Sequence, residues 1–205
     1  MLGKRERWEA LTNSSRANSQ KRKLIIDAAI SAFAQNEFSQ TNLDDIADRL
    51  NISKPTIYYY AGNKEDLIFL CRMRCLRQLK DAIARSTQAK MSGAEKLEII
   101  LRELTAWVMT DAARCYARHY LHATNPSAAS RLRREERVID TIVSLAIKEG
   151  IEDRSLRPVN VRLTAAAIIG AFSWTAFWFE PTKKSGTGSE LQKAYADLFM
   201  SAVRA

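Results

Sequence analysis

Only 7 glycines and 4 prolines punctuate the 205 residues, and no stretch alternates apolar and polar side chains over a strand's length. A turn-rich β protein is therefore excluded, and helices are expected throughout. Cysteine occurs three times (Cys71, Cys75, Cys115), an odd count without a C-x-x-C pair, so no disulfide framework is expected and reduced, cytoplasmic thiols are the simplest account. There is no Gly-rich phosphate loop, no G-x-S-x-G and no H-E-x-x-H, so neither catalysis nor a cofactor is expected. No apolar segment follows the first positive charges, which argues against a secretory signal. The most apolar run, residues 164–179, falls short of the ~18–20 residues a spanning helix needs. It also contains Thr164, Ser173 and Thr175, so a buried or interface helix is expected and a membrane partner is not.

What is present is charge and helical periodicity. The formal net charge is +9, which makes nucleic acid a candidate partner. The excess is spread along the whole chain, so charge alone does not locate a binding surface. Residues 1–24 contain Lys4, Arg5, Arg7, Arg16, Lys21, Arg22 and Lys23 against Glu6 and Glu9. The part up to residue 19 reads as a flexible basic arm. A helix from about Gln20 to Asn36 follows, with Ile25, Ala28, Ala29, Ala32 and Phe33 on one stripe. Asn36 is expected to close it in the left-handed conformation.

A short helix comes next, capped by Thr41 or Asn42, with Asp44 and Asp45 favouring its positive end. Leu43, Ile46, Ala47 and Leu50 face inward. Asn51-Ile52 makes a turn, Ser53 caps a third helix, and Pro55 fits its first turn. Gly62 ends that helix. Asn63 caps a fourth, with Asp66 completing a capping box. Two short helices joined by a tight turn, with a supporting helix before them, form a helix-turn-helix. Its second helix carries Lys54, Thr56, Tyr58, Tyr59 and Tyr60, whose polar tips suit phosphates and base edges. Helix N-termini at Thr41/Asn42 and at Asn63/Lys64 add backbone N–H groups for phosphate. Ile57 and Tyr60 share the inward side.

The stretch Lys21 to Leu67 resembles the DNA-binding domain of the TetR family of bacterial regulators. The resemblance rests on Ala28-Ala29…Phe33, Phe38…Thr41, Ile46-Ala47, Ile52 through Tyr60, and Asn63 through Leu67. It implies an all-α fold: a helix-turn-helix domain over 20–66 and a helical ligand-binding and dimerisation domain over 67–205. It also implies a homodimer, operator DNA as partner, and DNA contacts from Thr41, Asn42, Lys54, Thr56, Tyr58, Tyr59 and Lys64. The chain departs from the family where Glu37 and Asn51 replace its usual glycines and Ala61 its usual phenylalanine.

Beyond Asn63, helices are expected near 63–90, 94–112, 114–123, 127–149, 159–180 and 189–203. The run around residues 163–179 is apolar on most faces, which predicts burial all round, with the last helix (Leu191, Ala194, Tyr195, Leu198, Phe199, Ala202) joining it at a subunit interface. An effector cavity is expected among the middle helices, with Trp107, Tyr116, Tyr120 and Trp174 as candidate lining. The effector expected there is small and hydrophobic or amphipathic, releasing a repressor from its operator. Arg131, Arg133, Arg134 and Arg137 read as a solvated face or as a site for an anionic head group. Cys115, His119 and His122 share one helical face, a candidate soft-metal site. The competing readings are therefore a metal- or thiol-responsive regulator, or a helical adaptor that no longer binds DNA.

Overall fold

The computed structural model describes residues 15–120, 125–179 and 187–205. Among them are nine α-helices: α1 (Ser15–Gln35), α2 (Leu43–Leu50), α3 (Lys54–Ala61), α4 (Lys64–Ser86), α5 (Gly93–Val108), α6 (Asp111–Arg118), α7 (Pro126–Glu152), α8 (Val161–Trp178) and α9 (Gly188–Val203). The all-α expectation and the order of helices hold. The expected basic arm ends earlier than residue 19, because α1 already begins at Ser15. Ala17 is buried, and Asn18 accepts a hydrogen bond from the Tyr60 hydroxyl. The arm before residue 15 lies outside the described residues.

The local signals act as physical chemistry requires. Asn42 sits at the N-cap of α2 and accepts from the Asp44 amide. Asn51 adopts the left-handed conformation (φ 55°, ψ 47°), and its N–H reaches the carbonyls of Ala47 and Asp48. Asparagine tolerates this region better than most residues, so it replaces glycine at the turn. Asn63 and Asp66 form the complete reciprocal capping box at the start of α4. Asn36 does not turn left-handed as expected. Instead its backbone N–H and side-chain amide both donate to the Ala32 carbonyl.

Two cores meet along α4. The first joins Ile25, Ala29 and Phe33 of α1 to Ile46, Leu50, Ile57, Leu67, Ile68 and Cys71, and includes Cys115 and Tyr116 of α6. The second gathers Leu79 and Ile83 of α4 with Leu97, Ile100, Leu104, Val143, Ile147, Ile168 and Phe172. α4 contributes to both, so the N-terminal module is built into the helical domain rather than tethered to it. α6 packs on α1 and on α8, and its residues belong to both cores.

α8 departs from the expectation of burial on all sides. By length and apolarity α8 meets the requirement for a membrane span, yet only 28% of it is buried. Ala165, Ile168, Phe172, Thr175 and Ala176 face the core, while Leu163, Trp174, Phe177 and Trp178 are exposed. The helix is apolar on two faces, and the single chain supplies cover for one. In α9, Leu191, Met200 and Val203 are buried, Tyr195 and Phe199 pack against the Phe172 ring, and Leu198 is exposed.

Candidate nucleic-acid interface and the cavity of the helical domain

The candidate reading surface centres on α3. Ile57 and Ala61 are buried and anchor it, while Tyr58 and Tyr59 are 45% and 78% exposed. Tyr60 is half-buried and bonded to Asn18, as its inward phase requires. Tyr59 stands edge-on to Tyr60, ring centroids 4.9 Å apart, which limits its orientations without burying it. Ala61 is buried in the same core as Phe69, with Tyr60 packed against that core. The Ser53 and Thr56 hydroxyls lie 2.9 Å apart, so Ser53 occupies the cap position without a side-chain bond to the backbone.

Lys54 at the start of α3 donates to Asp44 of α2 at 2.9 Å, and this bond raises the ammonium's pKa. Lys64 lies over the Phe38 ring at 4.6 Å, and partial burial lowers its pKa. Both cations therefore stay on the surface but are held in place. Thr41 differs from expectation. It is buried, and its hydroxyl donates to the Glu37 carbonyl. The helix N-cap facing solvent is Asn42 alone. Asp44, expected only to favour the start of α2, is part of this surface through Lys54.

In the helical domain the four candidate lining residues come together. Trp107 of α5, Tyr116 of α6, Tyr120 just beyond it, and Trp174 of α8 border one cavity of about 450 Å³, with Glu136, Asp140, Ile169, Ser173 and Phe177. This volume lies within the ~300–1,000 Å³ of small-molecule sites. A smaller annex of about 70 Å³ shares part of that wall and is otherwise lined by Leu76, Leu79, Leu104, Ile139 and Phe172.

Glu136 accepts a 2.5 Å hydrogen bond from the Tyr116 hydroxyl and faces the buried Arg72 guanidinium at 3.7 Å. Arg72 in turn lies over the Tyr116 and Tyr120 rings, 5.2 and 5.6 Å from their centroids. Burial, then the bond to Glu136, pushes the Tyr116 phenol far above its usual range, so it remains a donor. Two buried donors, Arg72 Nε and Trp107 Nε1, have no hydrogen-bond partner among the described residues. The carboxylates at 136 and 140 were not singled out, although their spacing of four along a helix was legible.

Among the described residues the candidate metal ligands do not come together. The His119 ring turns to the Phe33 carbonyl at 2.9 Å, and His122 lies outside the described residues. Cys115 instead meets Cys71 and Cys75, all three buried and unoxidised. Burial raises the Cys71 thiol's pKa, while hydrogen bonding within the group, then burial, raises Cys75 and Cys115 well above the usual range. Protonated thiols are weak nucleophiles and weak ligands. Among the described residues no three His, Cys, Asp or Glu side chains are placed to hold a metal ion. Of the arginine run, Arg131 covers the Phe69 ring at 5.1 Å, and Arg133, Arg134 and Arg137 are exposed.

Residues 25–71 match the model of the bacterial regulatory proteins of the tetR family, and residues 90–203 match the tetracyclin repressor-like C-terminal domain. The chain is 24% identical over 153 residues to the fatty acid metabolism regulator protein of Bacillus subtilis (strain 168), covering 74% of this chain and 79% of that protein. A TetR/AcrR-family regulator from Thermobifida fusca YX-ER1 superposes with a TM-score of 0.72 at 26% identity, over 91% of this chain and 100% of that one. AibR, solved with isovaleryl coenzyme A and operator DNA, shares the fold with a TM-score of 0.76 at 16% identity, over 86% and 96% of the two chains. A helix-turn-helix with an exposed tyrosine-rich second helix, joined through α4 to a cavity-bearing helical domain, is thus matched by family over both parts, and the chain belongs to the TetR family of DNA-binding transcription regulators.

Proposed function

We propose that this regulator is a cytoplasmic repressor that leaves its operator when a small hydrophobic or amphipathic effector fills the cavity. The observation that carries this reading is the double role of α6. Tyr116 and Ala117, with Tyr120 next along the chain, border the cavity. Arg118 pairs with Glu37 at 3.1 Å and His119 bonds to Phe33 at 2.9 Å, both at the end of α1. Eight residues of helix thus touch the effector site on one side and the DNA module's supporting helix on the other. An effector with different affinity for two positions of α6 shifts the population of the module's orientations.

Two copies of the chain supply two recognition helices, which must lie ~34–36 Å apart to enter successive major grooves. The exposed apolar face of α8, with Leu198 of α9, is the surface expected to hold the copies together. At the DNA, Asn42, Lys54, Tyr58, Tyr59 and Lys64 are the proposed contacts, with Thr56 beside them. Thr41 is assigned a supporting role, because its hydroxyl is already committed to Glu37.

The test is binding of the full-length chain to DNA from upstream of its own gene, followed by fluorescence anisotropy. A Tyr59→Ala/Lys64→Ala double variant should lose at least tenfold in affinity while keeping wild-type oligomeric state and melting temperature. Retained affinity in a folded double variant would refute the interface. Failure of the wild-type protein to retard any upstream fragment would favour the adaptor reading.

A further inference from the structure

From the charge of the cavity wall we infer that the effector is an amphipathic organic cation, with its charged head at Asp140 and its apolar part against the aromatic and aliphatic lining. The inference rests on the effector-cavity reading above and specifies the chemistry of that site.

Among the described residues, none bordering the cavity or its annex is Lys, Arg or His, whereas two are carboxylates, Glu136 and Asp140. Glu136 is already balanced. It holds the Tyr116 hydroxyl and faces Arg72, which lies behind the tyrosine rings rather than in the wall. Asp140 has no ion-pair or hydrogen-bond partner among the described residues. Partial burial, then Glu136, opposes its ionisation, and Arg137 favours it. An ion that completes the site must therefore be positive.

The rest of the wall fits such a head group. Trp107, Tyr116, Tyr120 and Trp174 present aromatic rings, whose faces attract ammonium groups, Trp most strongly. The annex adds Leu76, Leu79, Leu104, Ile139 and Phe172 to the wall beside the carboxylates, an apolar surface that suits an alkyl or aryl group. An anionic head would instead meet an unbalanced carboxylate in a partly desolvated place, where like charges repel more strongly than in water. A coenzyme A ester, with its phosphates, finds no cation in this wall.

Three probes with the same acyl chain separate the alternatives: dodecanoylcholine, dodecanoate and dodecanoyl-coenzyme A, each below its micelle concentration. Binding to the full-length protein is followed by calorimetry and by release of operator DNA. Dodecanoylcholine should bind at least tenfold more tightly than either anion and release the DNA. Asp140→Asn, a change at an exposed position, should weaken it about threefold to fivefold while leaving the anions unchanged or improved. Tighter binding of dodecanoate or dodecanoyl-coenzyme A, with DNA release, would overturn the cationic assignment and leave the effector cavity standing. Asp140→Asn binding the choline ester as wild type would also overturn it. If no probe binds, the cavity reading itself falls with it.

Discussion

His119 Nε2 lies 2.9 Å from the carbonyl oxygen of Phe33, joining two buried groups 86 residues apart in sequence. One residue earlier, Arg118 reaches Glu37 at 3.1 Å, but across a largely exposed gap. Both bonds tie α6 to the end of α1, and burial separates their consequences. Removing one partner of a buried hydrogen bond leaves the other unpaired at about 1–3 kcal/mol, whereas an exposed ion pair contributes about 0–1 kcal/mol. His119→Ala should therefore lower Tm clearly, at about 2–4 °C per kcal/mol for a chain of this size. Arg118→Ala should move it little. Equal Tm values for the two variants in a thermal melt would contradict this ranking.

Asp44 bonds Lys54 on the side of the module proposed to face DNA, so a cation proposed to meet phosphate is partly neutralised within the protein. Asp44→Asn should free that ammonium and remove a nearby negative charge. Operator affinity at low salt should rise by on the order of threefold to tenfold. The slope of log K against log salt should steepen by about 0.9, as one further phosphate contact requires. Loss of an acid from the first turn of α2 costs about 0.3–1 kcal/mol of stability, too little to unfold the module. Anisotropy titrations at several salt concentrations give both quantities; an unchanged slope would mean that Lys54 gains no phosphate.

How much of this was legible in the sequence depends on the distance over which each feature is determined. The capping box at Asn63, the turn at Asn51 and the inward phase of Ile57 are settled within a few residues, and all were readable, while the cap of α2 was narrowed to Thr41 or Asn42. Thr41 was misplaced because its hydroxyl competes for a carbonyl four residues back, which a capping pattern does not reveal. The cavity draws Trp107, Tyr116, Glu136 and Trp174 from four different helices. Periodicity located the aromatic members in the right region but gave no sign that Asp140 and Glu136 face them. The His119 bond to Phe33 could not be read at all, because a helical face shared with Cys115 suggests ligands, whereas packing of α6 on α1 determines the actual partner.

Leu163 lies on the uncovered face of α8 at 65% exposure, next along that side to Ala166, Ala167 and Gly170. These small residues allow a second helix to approach closely, and a buried Leu side chain contributes about 1.5–3 kcal/mol of apolar transfer. A carboxylate there would have to be buried without a partner in the dimer, yet it is fully hydrated in the single chain. Leu163→Glu should accordingly give a folded monomer with unchanged helix content and strongly reduced operator affinity. Light scattering after size exclusion tests this; a stable dimer of the variant would place the interface elsewhere.

Gly93 and Gly150 mark the place where α5 crosses the end of α7. A Cβ built on Gly93 overlaps the backbone nitrogen and Cα of Gly150, whereas a Cβ on Gly150 meets the side chain of Leu156. The two glycines thus look equivalent in sequence but differ in what surrounds them. Leu156 can change rotamer, so Gly150→Ala should fall within the roughly 1–3 kcal/mol of an overpacked site. Gly93→Ala can be accommodated only by moving one helix away from the other. That displacement also strains the bonds from the amides of Gly93 and Ala94 to Asp153 Oδ2 (2.7 Å) and Ser155 Oγ (3.0 Å). Gly93→Ala should therefore be the more destabilising by at least about 1 kcal/mol, read from urea unfolding with an unchanged m-value. The opposite order would show that α5 and α7 are not held in contact at this crossing.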